Sequence, residues 1–370
     1  MVQRDYELGL DSFLAVTADD NGVPIPGDQV VRNAVAEGVL AEQVGIDSFN
    51  IGEHYRDDMM DSAAHVVLAA IAARTERIKL GTAVTVLSTQ DPVRLYQNFA
   101  TLDAVSQGRA QLILGRGSAV ESFPLFGYDL RDYEQLFEEK LALFVELLRG
   151  GPVTWQGEHR APLDGVVLTP PLAAGHLPTW VGSGGSPGSV LRAARYDLPL
   201  MLAVIGGRVE RFRPLVDLYR RALAAKGSQP LPVGLHTLAY VARTDSEAVE
   251  TQWPHWLETF ARASRERGWR RPTRAQFEAE IEHGAFFVGS PQTVANRLAK
   301  AMSALDVERL GVHYAIGKVP YDRRAESIRL LGTEVFPQLR ELLAAAPARN
   351  DGADADEPAV PHSPVRSTHA

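Results

Sequence analysis

The chain has 370 residues, 45% of them hydrophobic and 23% charged, which is enough for one large core and too apolar for a chain disordered throughout. A net charge of -8 with no basic cluster argues against nucleic acid as a partner. The absence of cysteine excludes disulfides, thiolate metal sites, iron–sulfur ligation and a cysteine nucleophile.

Short apolar β-rich runs alternate with helical patterns almost from the start. Arg4, Asp5 and Glu7 interrupt the stretch where a signal peptide would need an unbroken apolar run, and no run reaches the roughly 18 residues of a membrane span. A cytoplasmic protein without membrane contact is therefore expected. The first strand is placed at 8–16. A helix at 28–43 follows, with Asp28 as N-cap, and then a strand at 48–54. The rhythm continues as helix 62–75, strand 79–87, helix 92–106 and strand 110–117; Pro92 suits a first helical position, where its missing N–H costs nothing. A long helix at 132–149 comes next.

Residues 150–177 are rich in proline and glycine and read as an excursion, with short extended pieces near Val153 and Val166. Strand 179–181, helix 188–196, strand 198–205, helix 210–226 and strand 233–242 resume the alternation. After a helix beginning near Ser246, a second interruption falls at 268–288. Helix 291–305, strand 309–315 and helix 322–346 finish the pattern. Eight strands, each followed by a helix, predict a (β/α)8 TIM barrel with insertions after strands 4 and 7. A doubly wound open sheet would carry a glycine-rich dinucleotide fingerprint after its first strand, and 14–22 has none. The barrel domain is expected to span 1–346. Residues 347–370 contain no Leu, Ile or aromatic side chain and are expected to be a disordered tail.

Barrel enzymes place chemistry at the C-terminal ends of the strands. The second strand ends in Gly52-Glu53-His54-Tyr55-Arg56-Asp57, where Glu53 and His54 are either an acid–base pair or a polar strand end bonded to the next loop. On the third strand, the small residues around Ala83 and Val84 either admit a flat ligand or fill a barrel layer. Arg116 lies between Gly115 and Gly117 and offers a planar fork to phosphate, unless it is a surface ion pair. The loop Gly182-Ser183-Gly184-Gly185-Ser186-Pro187-Gly188-Ser189 opens a helix and could cradle an anion, though a plain glycine-rich loop reads the same. It is neither a Rossmann fingerprint nor a Walker loop. The ten histidines show no metal-binding spacing and there is no Gly-x-Ser-x-Gly elbow, so no metal site is expected and serine hydrolysis is disfavoured. His236 and His313, on the seventh and eighth strands, read as satisfied core or mouth histidines, and Trp180 as core.

Taken in order, Gly81 to Leu87, Asp91-Pro92-Val93-Arg94, Leu102-Asp103, Ser106-Gln107-Gly108-Arg109, Gly115-Arg116-Gly117 and Phe126-Gly127 give the chain its strongest pattern. The chain resembles the bacterial-luciferase-like flavin-dependent monooxygenases over about 6–343. The resemblance implies FMN at the barrel mouth, its phosphate near Arg116 and the loop 184–189, including Gly184, Gly185, Ser186 and Ser189. It further implies a non-proline cis peptide at Ala83-Val84 supporting the flavin ring, and Glu53 and His54 facing the ring's reactive edge, with His54 assisting proton transfer or hydrogen-bonding a flavin peroxide. Reduced FMN, supplied by a separate flavin reductase, and molecular oxygen would together oxidise a small organic substrate. A homodimer or other homo-oligomer is expected.

Tyr55 stands where luciferases proper have a second histidine, and Gly115 where they have a reactive cysteine, so light emission and a long-chain aldehyde substrate are left open by the resemblance. The segment 268–288 falls at the family's mobile lid; Phe277, Phe286 and Phe287 would suit a cover, and an ordinary surface helical excursion fits equally. A deazaflavin-dependent hydride-transfer dehydrogenase or reductase is the alternative within the same architecture, and a non-enzymatic flavin-binding protein is a third reading.

Overall fold

The computed structural model describes residues 5–345 other than 20, 118, 119, 267, 269 and 315. The expected tail at 347–370, and with it the domain limit at 346, lies outside the described residues.

The chain runs β1 (Glu7–Ser12), α1 (Gly27–Gln43), β2 (Ser48–Ile51), α2 (Ala64–Ala72), β3 (Lys79–Val86), α3 (Pro92–Ser106) and β4 (Leu112–Gly115). A short helix α4 (Ser122–Leu125), the long α5 (Tyr133–Leu148) and an antiparallel hairpin of β5 (Val153–Trp155) and β6 (Leu163–Val166) follow. Next come β7 (Thr179–Ser183), α6 (Pro187–Arg195), β8 (Leu200–Ala203), α7 (Arg213–Lys226) and β9 (Val233–Val241). The rest is α8 (Asp245–Glu266), α9 (Arg274–His283), β10 (Phe286–Gly289), α10 (Pro291–Leu305), β11 (Arg309–His313), α11 (Tyr321–Leu330) and α12 (Phe336–Ala345).

β1, β2, β3, β4, β7, β8, β9 and β11 pair in that order, all parallel, and β11 returns to β1. This is a closed (β/α)8 barrel. Every residue of β2, β4 and β9 is buried, as expected when helices cover the outside of a parallel barrel and side chains fill its inside. Both insertions occur where expected, after the fourth and seventh barrel strands.

Several boundaries differ from the sequence reading, for local reasons. β1 stops at Ser12 and β2 at Ile51, because Phe13, Glu53 and His54 leave the ladder to line the mouth. Asp28 does not cap α1. The helix already begins at Gly27, and Asp28 pairs with Arg32 one turn on at 2.8 Å. α3 does begin as expected, with the Asp91 side chain accepting from Arg94 N at 3.0 Å and Pro92 in the first turn. The last helix is broken by a π turn at 331–335, just before Pro337, which has no N–H to continue the α ladder.

The interruption at 268–288 contains α9 and a ninth strand, β10, which extends the sheet by pairing with the outer end of β9. Phe277, Phe286 and Phe287 are buried, with the Phe277 ring 5.3 Å from both Trp253 and Trp256 on α8. These phenylalanines are core, not the face of a cover; an apolar strand between Gly284 and Gly289 is the signal that identifies them. Lys140 on α5 is also interior. Its ammonium donates to Ser88 O at 2.6 Å over the Tyr128 ring, and burial pushes its pKa down to about 8. No helix among the described residues is long and apolar enough to cross a membrane.

Candidate functional site

The C-terminal ends of the barrel strands enclose a cavity of ≈ 460 Å³, a size typical of small-molecule sites. Glu53, His54, Ala83, Val84, Arg116, Gly184, Ser186 and Ser189 all line it. Gly185 turns the same loop at φ +115 without contributing to the wall. The residues singled out in sequence are therefore brought to one mouth from β2, β3, β4 and β7. A larger cavity, ≈ 670 Å³, opens at the opposite end among Glu7, Lys79 and Arg309. Its wall contains none of the residues singled out for chemistry.

One patch of the cavity wall is apolar. The peptide between Ala83 and Val84 is cis, at the position the resemblance implied, and the pairing of β3 with β4 shifts register there. Val84 fits because its neighbours lack side chains: a Cβ on Gly115 would lie 2.5 Å from Val84 Cγ2, and one on Gly182 would lie 3.0 Å from Val84 Cγ1. Together with Ile113 and Met201, Val84 presents a surface suited to a flat aromatic ring.

His54 is oriented by Asp61, a residue the sequence reading missed. Its Nδ1 lies 2.8 Å from Asp61 Oδ2 and its backbone N donates to Asp61 Oδ1 at 3.1 Å. Asp61 is completely buried, and burial raises its pKa while the His54 ring opposes the rise. A buried carboxylate on Nδ1 directs the proton to that nitrogen and leaves Nε2 as the basic one. Glu53 is differently placed. It accepts from Tyr55 Oη at 2.5 Å, Gln90 Nε2 at 2.7 Å and Val86 N at 3.0 Å, while burial raises its pKa. Its oxygens are committed to holding the end of β3.

A second carboxylate–imidazole pair also stands at the mouth. His236 Nδ1 is 2.5 Å from Asp11 Oδ2, and Asp11 Oδ1 accepts from Asn50 Nδ2 at 2.8 Å. Phe13 sits among three histidine rings, with centroids 5.0 Å from His54, 6.0 Å from His236 and 4.5 Å from His313. His236 thus lines the mouth as the sequence allowed, and His313 donates from Nδ1 to Asp11 O at 3.0 Å.

Burial pushes the His313 pKa down to about 4. An unfolded histidine titrates near 6.5, so between these values the unfolded chain binds more protons and stability falls as pH falls through that window. The loss should be about 1 to 3 kcal/mol, the lower part of the range reflecting the accessible part of the ring. In urea unfolding at about pH 7 and about pH 4.5, His313→Asn should lose less stability than the wild type by that amount. Equal losses would remove His313 from the acid limb.

A second patch of the wall is cationic and hydroxyl-rich. Arg116 donates from Nη2 to Ser189 Oγ at 3.1 Å, pairs through Nη1 with Glu134, and lies over the Tyr133 ring at 5.1 Å. Tyr133 Oη donates to Gly117 O at 2.9 Å, fixing the ring beneath the guanidinium. Ser186 is the N-cap residue of α6 and its side chain makes no capping bond; Pro187 has no N–H and Ser189 N already donates to Ser186 O at 3.1 Å, so the Ser186 hydroxyl and the Gly188 N–H are the donors this turn offers an anion. A flat ring joined to a phosphate matches this pairing of an apolar patch with a cationic one.

Sequence reasoning did not find Asp11, Asp61, Tyr133 or Glu134. Asp11 and His236 are 225 residues apart, and nothing local in either segment marks the partnership. Asp61 follows His54 by seven residues, and only the turn after β2 brings them together.

A cavity at the C-terminal ends of the strands of a (β/α)8 barrel is where barrel enzymes carry their chemistry. The chain belongs to the luciferase-like monooxygenase family, whose sequence profile matches residues 12–308, and it is by family a flavin-dependent monooxygenase. It is 24% identical over 342 residues to an alkanal monooxygenase alpha chain of Photorhabdus luminescens, covering 85% of this chain and 93% of the relative. An F420-dependent glucose-6-phosphate dehydrogenase of Microbacterium testaceum is 26% identical over 332 residues, covering 83% and 93%. Among solved structures, monooxygenase RslO1 from Streptomyces bottropensis superposes with a TM-score of 0.77 at 22% identity, over 90% of this chain and 99% of that one. The oxygenating constituent of 3,6-diketocamphane monooxygenase from Pseudomonas putida, in complex with FMN, gives 0.72 at 20% identity, over 90% and 98%. These two likenesses show the fold.

Proposed function

We propose that this protein uses reduced FMN and molecular oxygen to oxidise a small organic substrate, and that the reduced flavin comes from a separate reductase. The observation that carries this reading is a single cavity whose wall includes Arg116, Ser186 and Ser189 together with Ala83, Val84, Ile113, Met201 and His54. Arg116, the loop at 184–186 and Ser189 would hold the phosphate; Ala83 and Val84 would support the ring. Bound FMN would supply the redox chemistry with oxygen. The chain's own part is to bind and orient, to exclude water behind Phe13 and the apolar wall, and to move a proton at His54 Nε2. Glu53, expected beside His54 in a catalytic role, is better read as a positioning residue, because its carboxylate is already occupied by three donors.

The lack of a dinucleotide fingerprint in the sequence supports a separate reductase, as does likeness to a protein described as the oxygenating constituent of a monooxygenase. The F420-dependent relative keeps hydride transfer with a deazaflavin as the rival reading. Anaerobic titration with reduced FMN and with a reduced deazaflavin, followed by admission of oxygen while the flavin spectrum is recorded, separates the two. Tighter FMN binding and oxygen-dependent reoxidation of the bound flavin are expected. Tighter deazaflavin binding with no reaction with oxygen would overturn the proposal.

A further inference from the structure

We propose that Glu134 is a built-in counter-ion of the phosphate site: it occupies Arg116 in the empty protein and gives way to a phosphate monoester, weakening cofactor binding and easing exchange. This rests on the FMN reading given above. Arg116 has its two terminal nitrogens engaged, Nη1 by Glu134 and Nη2 by Ser189 Oγ at 3.1 Å. A phosphate carrying about -1.5 to -2 charge cannot use the Nη1 side while a carboxylate sits there. Of the two partners, Glu134 is the one free to move: its side chain is 59% exposed against 20% for Arg116, which is also stacked over Tyr133.

Displacement leaves no stranded charge. The other oxygen of Glu134 already pairs with Arg192 Nη2 at 2.9 Å, and Arg192 is anchored through Nε to Glu138 at 2.6 Å. Arg192 Nη1 is buried without a hydrogen-bond partner, so a donor stands ready beside the released carboxylate. Glu134 therefore bridges two arginines, and letting go of one strengthens its hold on the other. A ligand without a phosphate has no reason to displace it. The device acts on phosphorylated flavin alone.

The test compares anaerobic binding of reduced FMN and reduced riboflavin to the wild type, Glu134→Gln, Arg116→Ala and Arg116→Ala/Glu134→Gln. Removing an exposed competing charge should tighten FMN binding about two- to fivefold in Glu134→Gln and leave riboflavin unchanged. The gain should vanish in the Arg116→Ala background. If Glu134→Gln binds FMN no tighter, or gains equally for riboflavin, the counter-ion role is overturned while the FMN site stands. If the wild type binds the two flavins equally, the phosphate reading itself fails, and this proposal with it.

Discussion

Replacing His54 should lower product formed per unit time at matched flavin occupancy by about 10²- to 10⁴-fold, the range a positioned acid or base contributes. The informative replacement is asparagine. His54 Nδ1 sits against the completely buried Asp61, so His54→Ala would leave Asp61 Oδ2 without its partner, with only Oδ1 still held by the backbone N–H, and add about 1 to 3 kcal/mol of destabilisation unrelated to chemistry. An asparagine amide can still donate to Asp61, yet it lacks a basic ring nitrogen. His54→Asn should therefore melt near the wild type and bind reduced FMN comparably, while oxygenating substrate slowly. Asp61→Asn gives a companion readout: with the wrong partner on Nδ1 the ring can change tautomer, so the pH dependence of turnover should move as well as its rate. Turnover in His54→Asn equal to wild type at the same flavin occupancy would leave His54 as scaffold.

Arg116→Ala should weaken reduced FMN about ten- to hundredfold, corresponding to the 1.5 to 3 kcal/mol of a hydrogen bond to a charged group, and should leave riboflavin binding unchanged. The result is expected toward the lower end, because in the wild type part of Arg116's interaction with phosphate offsets the loss of Glu134. Arg116 keeps 20% of its side chain exposed and its packing is on the Tyr133 ring, so its truncation should cost little stability. Equilibrium binding of both flavins to both proteins decides it. Parallel weakening of FMN and riboflavin would mean that Arg116 shapes the cavity without contacting a phosphate.

Two kinds of information separate cleanly in this chain. The alternation of apolar strands and amphipathic helices, the glycines flanking Arg116, the Gly-Ser loop before α6 and the placement of His54 at a strand end are all local, because backbone geometry and burial leave periodic marks in neighbouring residues. From these the barrel, its two insertions and the mouth residues follow. What the local marks do not contain is pairing across the barrel. Asp11 meets His236 only because β1 and β9 both border β11; Arg116 meets Glu134 only because α5 packs beside the end of β4; and Phe286 and Phe287 become core only because β10 adds to the edge of β9. A carboxylate in sequence has no direction until closure of the sheet sets which side chains share a dielectric and a hydrogen bond. For that reason the barrel and the residues gathered at its mouth are legible in the local pattern of the chain, whereas the hold of Asp61 on His54, the use of Glu53 at the end of β3 and the carboxylate beside Arg116 arise only when the barrel closes.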